Sequence, residues 1–395
     1  MIEHILQHVR LICPRCRQIQ PGSVDCSQIV LDEILRRDVH GSIDDGFLRC
    51  ENKTCRTQYP IVNGIAILVR DLPEYLNEHG PPLLARTDLP LYLEDFIHSH
   101  FLEASPFVTP KRYLGTYLKS HYLDVSDVSA LVDDSMGKRI PRVKIYDRPE
   151  ASFPAHAQDL PEDVLYANPF ISEMVRIFDT QIPKTVSLGL DLGCGVGRLS
   201  RELAKKCQFV IGIDLRYAAV RAAYTFQKRR EIILPERVEG FLYSYYRMKL
   251  RESLPEASYI AADAQEPTFL AETFDVVHMS NLIDVAADPL RIVGQADALL
   301  KPGGILIHAS PYHWNASTTA ESRWLAGTYR NGREGISARS VVKDMLEGNH
   351  PWLPHLSYRI LEELDGVPWV LSDFKNQFVT FMEHIVVARK NDQLE

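Results

Sequence analysis

The sequence predicts an α/β fold: a parallel sheet covered on both faces by helices, preceded by a small β-rich segment and a mostly helical stretch. Three observations predict it. From about residue 184 short apolar, β-branched runs alternate with helical stretches, the rhythm of strands buried on both faces. A glycine-rich loop, "GLDLGCGVGR" (189–198), overlaps the end of the first such run. Residues 1–70 hold five of the chain's seven cysteines, among β-like runs such as "HVRLICP", "GFLRC" and "IVNGIAILV".

The strands in order are "TVSLGLDL" (185–192), "FVIGIDL" (209–215), "SYIAADA" (258–264), "FDVVHMS" (274–280) and "GILIHAS" (304–310). "GRLSRELAKK", "AAVRAAYTFQKRR" and "PLRIVGQADALL" supply the helical patterns between them. In the tail, "SYRILEEL" and "FVTFMEHIVVARK" read as two further strands. Residues 71–180 carry repeated prolines that interrupt helical stretches such as "LYLEDFIHSHFLEA", because proline cannot donate within a helix. The expected divisions are therefore 1–70, 71–180 and 181–395.

The 395 residues carry a net charge of −8, so no global basic field invites nucleic acid. One local basic run, Lys228-Arg229-Arg230, stands apart. The N-terminus lacks an apolar run of signal-peptide length, and no window reaches the ~20 apolar residues of a membrane span. An odd number of cysteines in a long chain does not read as a disulfide framework. The expected setting is reduced and cytoplasmic, without a membrane.

Cys13 and Cys16 form C-x2-C, and Cys50 and Cys55 form C-x4-C. Four thiolates on two turns suit tetrahedral zinc, which also makes up for the small core such a segment buries. Four unrelated buried or free cysteines are the plainer alternative, and Cys26 between them has no partner by spacing. "CPRC" followed by "YPIVNGIAILV" resembles the small zinc-ribbon proteins that bind and activate tRNA and protein methyltransferases. The resemblance covers about 60 residues and implies a structural zinc and a docking surface.

The glycine loop has two candidate ligands, a dinucleotide and S-adenosylmethionine (SAM). A dinucleotide fingerprint needs G-x-G-x-x-G. From Gly193 the third glycine position is Arg198, and from Gly195 it is Ser200. The pattern is instead Asp191, Gly193, Gly195, Gly197. A carboxylate at Asp191 repels a pyrophosphate and attracts the ammonium of an amino-acid moiety, which favours SAM. Asp214 ends the second strand, where an acid accepts both ribose hydroxyls. Asp263 ends the third, within reach of an adenine amino group. Leu215, Ala264, Ser280 and Asn281, next to these strand ends, complete the expected cofactor contacts.

This succession, closed by "LLKPGGILI", resembles the class I SAM-dependent methyltransferases across residues 185–310, which implies a Rossmann-like domain. The turn after the fourth strand is not Asn/Asp-Pro-Pro-Tyr, which argues against the subgroup methylating adenine and glutamine nitrogens. "NLID", "DPLRIVGQADALLKPGGILIHASPYHWN" and "RWLAGTYRNG" resemble the mercaptohistidine and carnosine N-methyltransferases. That resemblance implies Asn281, Asp284, Tyr312 and Trp314 as substrate-pocket residues.

From the residues themselves, Asp284 can accept an imidazole N–H or simply cap the helix expected at 286–300. Tyr312 can orient the nucleophile, and Trp314 can stack on a flat ring; both are also ordinary loop aromatics. His313 lies past a strand end, where parallel sheets bind ligands, and is the candidate base. His278 and His308 lie inside apolar strands and read as core histidines. The insert at 231–257, with Tyr243, Tyr245, Tyr246 and Arg247, reads as a lid or a half-buried helix face.

Three functions remain. The first is methyl transfer to a nitrogen of a small polar metabolite, imidazole or amine. The second is an RNA or protein methyltransferase with a fused activator-like ribbon. The third is a non-catalytic SAM-binding partner protein, against which the intact loop and both acids count.

Overall fold

The computed structural model describes residues 2–17, 27–84, 110–130, 168–239, 242–328, 335–374 and 377–392, with positions 90, 93, 96, 97 and 100. Helix α1 (Ile2–His8) leads into strands β1 (Ile29–Arg37), β2 (Ile43–Cys50), β3 (Gln58–Val62) and β4 (Ile65–Leu68). Then come α2 (Leu72–Leu84), α3 (Pro110–Tyr122), β5 (Ser126–Ala130) and α4 (Pro169–Gln181). The alternating part runs β6 (Val186–Leu192), α5 (Arg198–Leu203), β7 (Cys207–Asp214), α6 (Tyr217–Arg229), β8 (Glu231–Glu239) and β9 (Leu242–Leu250). It continues through β10 (Ser258–Ala262), β11 (Phe274–Ser280), α7 (Pro289–Leu299), β12 (Leu300–Ser310) and α8 (Ala338–Leu346), and ends in β13 (Tyr358–Phe374) and β14 (Gln377–Lys390).

One eleven-stranded sheet has the order β1-β2-β3-β4-β10-β7-β6-β11-β12-β14-β13. Strands β4, β10, β7, β6, β11 and β12 pair in parallel. The two tail strands return antiparallel, β14 against β12 and β13 against β14. The chain moves outward from β6 through β7 to β10, then restarts at β11 on the other side of β6. That reversal opens a crevice at the C-terminal ends of β6 and β11, the place where doubly wound sheets bind ligands.

The N-terminal strands extend this sheet. β4 pairs in parallel with β10, Ile260 opposite Ala66 and Ala262 opposite Leu68. All four residues of β4 are buried, so its "IAIL" needs cover on both faces, which the sheet provides. Ile2, Ile5 and Leu11 share one apolar cluster with Ile211, Ile213 and Ile260. Residues 1–70 are thus joined to the alternating part by backbone pairing and a common core.

The described part of the middle segment docks on the glycine loop. Tyr122 donates its hydroxyl to the Val196 carbonyl (2.9 Å). Arg198, at the start of α5, grips Asp124 with two nitrogens (2.6 and 2.9 Å), a bidentate geometry that fixes both partners.

The insert is neither helix nor single strand. β8 and β9 form an antiparallel hairpin, and β5 adds a third strand. "EIIL" and "YRMKL" alternate large side chains between two faces, which suits a strand's period of two. The side chains of Tyr243 and Tyr245 lie outside the described residues, as does Cys26.

The helix after β11 starts later than expected. Asp288 is its cap, accepting from the Arg291 amide (3.2 Å), with Pro289 in the first turn. This frees Asp284 from the capping role and leaves its carboxyl for other partners.

Candidate active site

The glycine loop takes its shape from three left-handed glycines, with φ of +78° at Gly193, +51° at Gly195 and +79° at Gly197. A side chain at Gly197 would lie 2.5 Å from the Tyr259 hydroxyl and 2.7 Å from Ala223, so that glycine serves packing. At Gly195 a Cβ would meet nothing within 4 Å. It borders open space at the strand ends, a cradle that a close-lying ligand can fill. The Gly195 amide donates to Asp214 Oδ2 (3.0 Å), and the Arg216 amide donates to Oδ1 (2.8 Å). The loop and the second-strand acid are thereby clipped into one unit. Burial pushes the Asp214 carboxyl above its ordinary value.

Asp191 corrects a detail of the sequence reading. It is 1% exposed, and both of its oxygens are engaged. Ser200 donates its hydroxyl to Oδ2 (2.6 Å), and His278 Nδ1 donates to Oδ1 (2.7 Å). His278 Nε2 in turn accepts from Ser280 (2.6 Å). Asp191 therefore organises the loop from behind, tying α5 to β11, and does not itself face an ammonium. Asp263 sits just past β10, where its Oδ1 accepts from the Gln265 amide (2.8 Å) and burial raises its carboxyl. Beside these acids, Leu215 is exposed and Ala264 is buried.

Across the crevice, the ends of β11 and β12 bring Asn281, Asp284, Tyr312, His313 and Trp314 together. Asn281 (φ +53°) and Tyr312 (φ +54°) are both left-handed, a strained backbone for side chains of this size. Asp284 is buried; its Oδ2 accepts from the His313 amide (2.9 Å) and the Ser310 hydroxyl lies beside the carboxyl, whereas its buried Oδ1 meets no donor in hydrogen-bond geometry. Burial pushes this carboxyl up as well. The His313 ring is exposed and lies 5.3 Å from the Phe381 ring. Trp314 stacks on Trp324 with centroids 6.3 Å apart.

Tyr312 is placed otherwise than a nucleophile-orienting phenol. Its hydroxyl contacts His384 Nδ1 (2.8 Å) and His308 Nε2 (3.4 Å), and His384 Nε2 reaches Glu363 (3.2 Å). This chain fixes the loop after β12. Burial holds His308 neutral, down to about 3, as a core histidine.

One residue of this site had no signal in the sequence. Glu383, on β14, is fully buried. The Asn281 side-chain amide contacts both carboxyl oxygens of Glu383 (2.9 and 3.1 Å). Burial, together with the nearby Asp284 charge, pushes the Glu383 carboxyl up to about 9. In the folded protein Glu383 thus stays neutral where the unfolded chain ionises it. Stability falls as pH rises from the ordinary carboxyl range toward 9, by about 1.4 kcal/mol per unit at most. The Tm of Glu383→Gln, measured against the wild type, should rise progressively between pH 5 and pH 8. A difference that stays constant over that range would contradict the buried neutral acid.

The four predicted cysteines converge. The sulfurs of Cys13, Cys16, Cys50 and Cys55 all lie within 4.8 Å of one another, with Cys13–Cys55 at 3.9 Å and Cys16–Cys50 at 3.7 Å. Zinc–sulfur bonds of about 2.3 Å in a tetrahedron put sulfurs about 3.8 Å apart, so this spacing fits the ion. The buried Tyr59 hydroxyl contacts Cys13 Sγ (3.1 Å), the kind of outer contact that orients a thiolate ligand.

Residues 168–347 match a family model described as a methyltransferase domain. The fold is a Rossmann-like methyltransferase fold. The ubiquinone biosynthesis O-methyltransferase of Histophilus somni is 31% identical over 31% of this chain and 43% of its own length. Its counterpart from Pasteurella multocida is 29% identical over 31% of this chain and 45% of its own length. The chain thus spans less than half the length of these curated relatives. Among solved structures, the N-methyltransferase NodS of Bradyrhizobium japonicum, in complex with S-adenosyl-L-homocysteine (SAH), covers 61% of this chain and 93% of its own. It is 16% identical, with a TM-score of 0.35. No described helix of this methyltransferase-fold chain is long and apolar enough to cross a membrane.

Proposed function

We propose that the chain is a SAM-dependent methyltransferase acting, in a cytoplasmic setting, on a nitrogen of a small polar acceptor of imidazole or amine type. The observation that carries the acceptor is Asp284 Oδ1, a buried carboxylate oxygen without a partner, at the strand ends across the crevice from the glycine loop. A buried oxygen of this kind is costly unless something donates to it.

When bound, SAM supplies an electrophilic methyl carried on a sulfonium. Asp214 takes the ribose hydroxyls and Asp263 the adenine amino group, with Leu215 and Ala264 beside them. Gly193 and Gly195 let the backbone approach, and Ser280 and Asn281 border the methionine end. Asp284 accepts an N–H of the acceptor, which for an imidazole leaves the other ring nitrogen's lone pair free, and takes the proton that the methylated, cationic acceptor sheds. Tyr312 and its two histidines hold the loop that presents His313 and Trp314 at the rim. In the same proposal Cys13, Cys16, Cys50 and Cys55 bind one structural zinc, and their strands offer a docking surface.

A larger, anionic acceptor is the second reading, and one observation favours it. A cavity of about 300 Å³ between α6 and the β8–β9 hairpin is lined by Arg221, Arg229 and Arg247, with Glu231 3.7 Å from Arg247, a net cationic lining of residue types that bind phosphate. The two readings separate when the protein is incubated with methyl-labelled SAM and a cell extract, followed by fractionation and mass analysis. The first expects label in small molecules, on nitrogen. Label confined to RNA or protein would overturn it in favour of the second, and label on a phenolic oxygen would overturn the nitrogen assignment.

A further inference from the structure

Two departures from ordinary folding economy meet at one place. Asp284 keeps a buried oxygen without a partner, and Glu383, fully buried, has both carboxyl oxygens against the Asn281 side-chain amide. The two acids come from different elements, the turn after β11 and the long strand β14. Buried acids brought together from separate elements cost stability, and such departures concentrate at functional sites.

We propose that Glu383 and Asp284 form a single acid wall of the acceptor pocket, which receives an N–H donor and turns away anionic acceptors such as carboxylates and phenolates. The inference rests on the methyltransferase reading and narrows its substrate class. Glu383 stays neutral up to about 9, so below that pH it adds no charge of its own to the wall. The left-handed Asn281 sets the geometry: its backbone amide is held by the Ala309 carbonyl (2.9 Å), while its side-chain amide clamps Glu383.

Among the described residues whose titration is shifted around it, Glu383 is the one that changes charge between pH 8 and 10. Tyr312, after β12, is raised far above that range by burial. His308 on β12 and His384 on β14 are both lowered by burial and stay neutral. Glu363 on β13 is lowered by its bond from Lys343 and stays ionised. Arg339 on α8 pairs with Asp365. Each added negative charge on the wall strengthens its hold on an N–H donor and weakens its hold on an anion.

The test is calorimetric titration of the SAH-loaded full-length chain with imidazole and, separately, with benzoate. Wild-type protein should bind imidazole at pH 8, at least threefold more tightly at pH 10, and should bind benzoate at neither. Asp284→Asn should lose at least tenfold in imidazole affinity while still binding SAH. In Glu383→Gln the ratio of affinities between pH 10 and pH 8 should fall below 1.5. Benzoate binding, or an equal pH response in wild type and Glu383→Gln, would overturn the acid wall. SAH binding in the same experiment reports separately on the cofactor site, so its absence would sink the methyltransferase reading instead.

Discussion

Asp214→Ala should abolish measurable SAH binding while leaving the protein folded. The carboxylate does two jobs at once. It accepts from the Gly195 and Arg216 amides (3.0 and 2.8 Å), so it shapes the ligand side of the glycine loop, and it is the proposed partner of both ribose hydroxyls. Hydrogen bonds to a charged acceptor are worth about 1.5–3 kcal/mol each. Losing two of them to the ligand, with the loop set free besides, costs at least about 100-fold in affinity. The side chain is carried at the end of β7, not within the apolar core, so thermal unfolding of the variant should remain cooperative. Calorimetric affinity equal to the wild type's would remove Asp214 from the cofactor site.

Metal analysis should find about one zinc per chain, and Cys13→Ser combined with Cys50→Ser should remove it. The structural cost should be large. Apparent zinc affinities in small four-ligand domains correspond to about 10–16 kcal/mol, and that binding energy is folding energy. Here the two knuckles pin the first turn, after Leu11 and Ile12, to the turn between β2 and β3. Without the ion, the meander β1–β3 should show rapid amide exchange. Because β4 continues the same meander and pairs with β10, the global Tm should fall as well. A double-serine variant that stays folded and fully zinc-loaded would contradict the assignment.

Much of the fold could be read from the sequence because it is written locally. Strands β6, β7, β10, β11 and β12 are short apolar runs bounded by turn residues, and each lies within a few residues of its predicted span. The two tail strands were legible for the same reason. The cofactor candidates followed, since they sit at strand ends and strand ends are set by those runs. The cysteine cluster was legible through spacing alone.

What remained hidden depends on contacts between distant segments. Nothing in "IAIL" says that β4 will pair with β10, nearly two hundred residues later. Nothing in "FMEHIVV" marks Glu383 as a partner of Asn281, since an acid flanked by Met and His reads as an outward position on an edge strand. Antiparallel pairing of β14 with β12 sets His384 opposite Ser310, which carries Glu383 to the site. Asp191 was misjudged for a related reason. The acid's type and place were right, but its partners, Ser200 and His278, lie on two other elements. The choice at Asp284 between an N–H acceptor and a helix cap stays open in the sequence, and Asp288, four residues on, takes the capping work.

The most direct test of the central claim is a pair of titrations on the wild-type chain, one with SAH and one with NAD. The loop geometry, with Gly195 bordering open space and Asp214 clipped to its amide, predicts one SAH per chain and no detectable NAD binding. Binding of NAD in preference to SAH would contradict it.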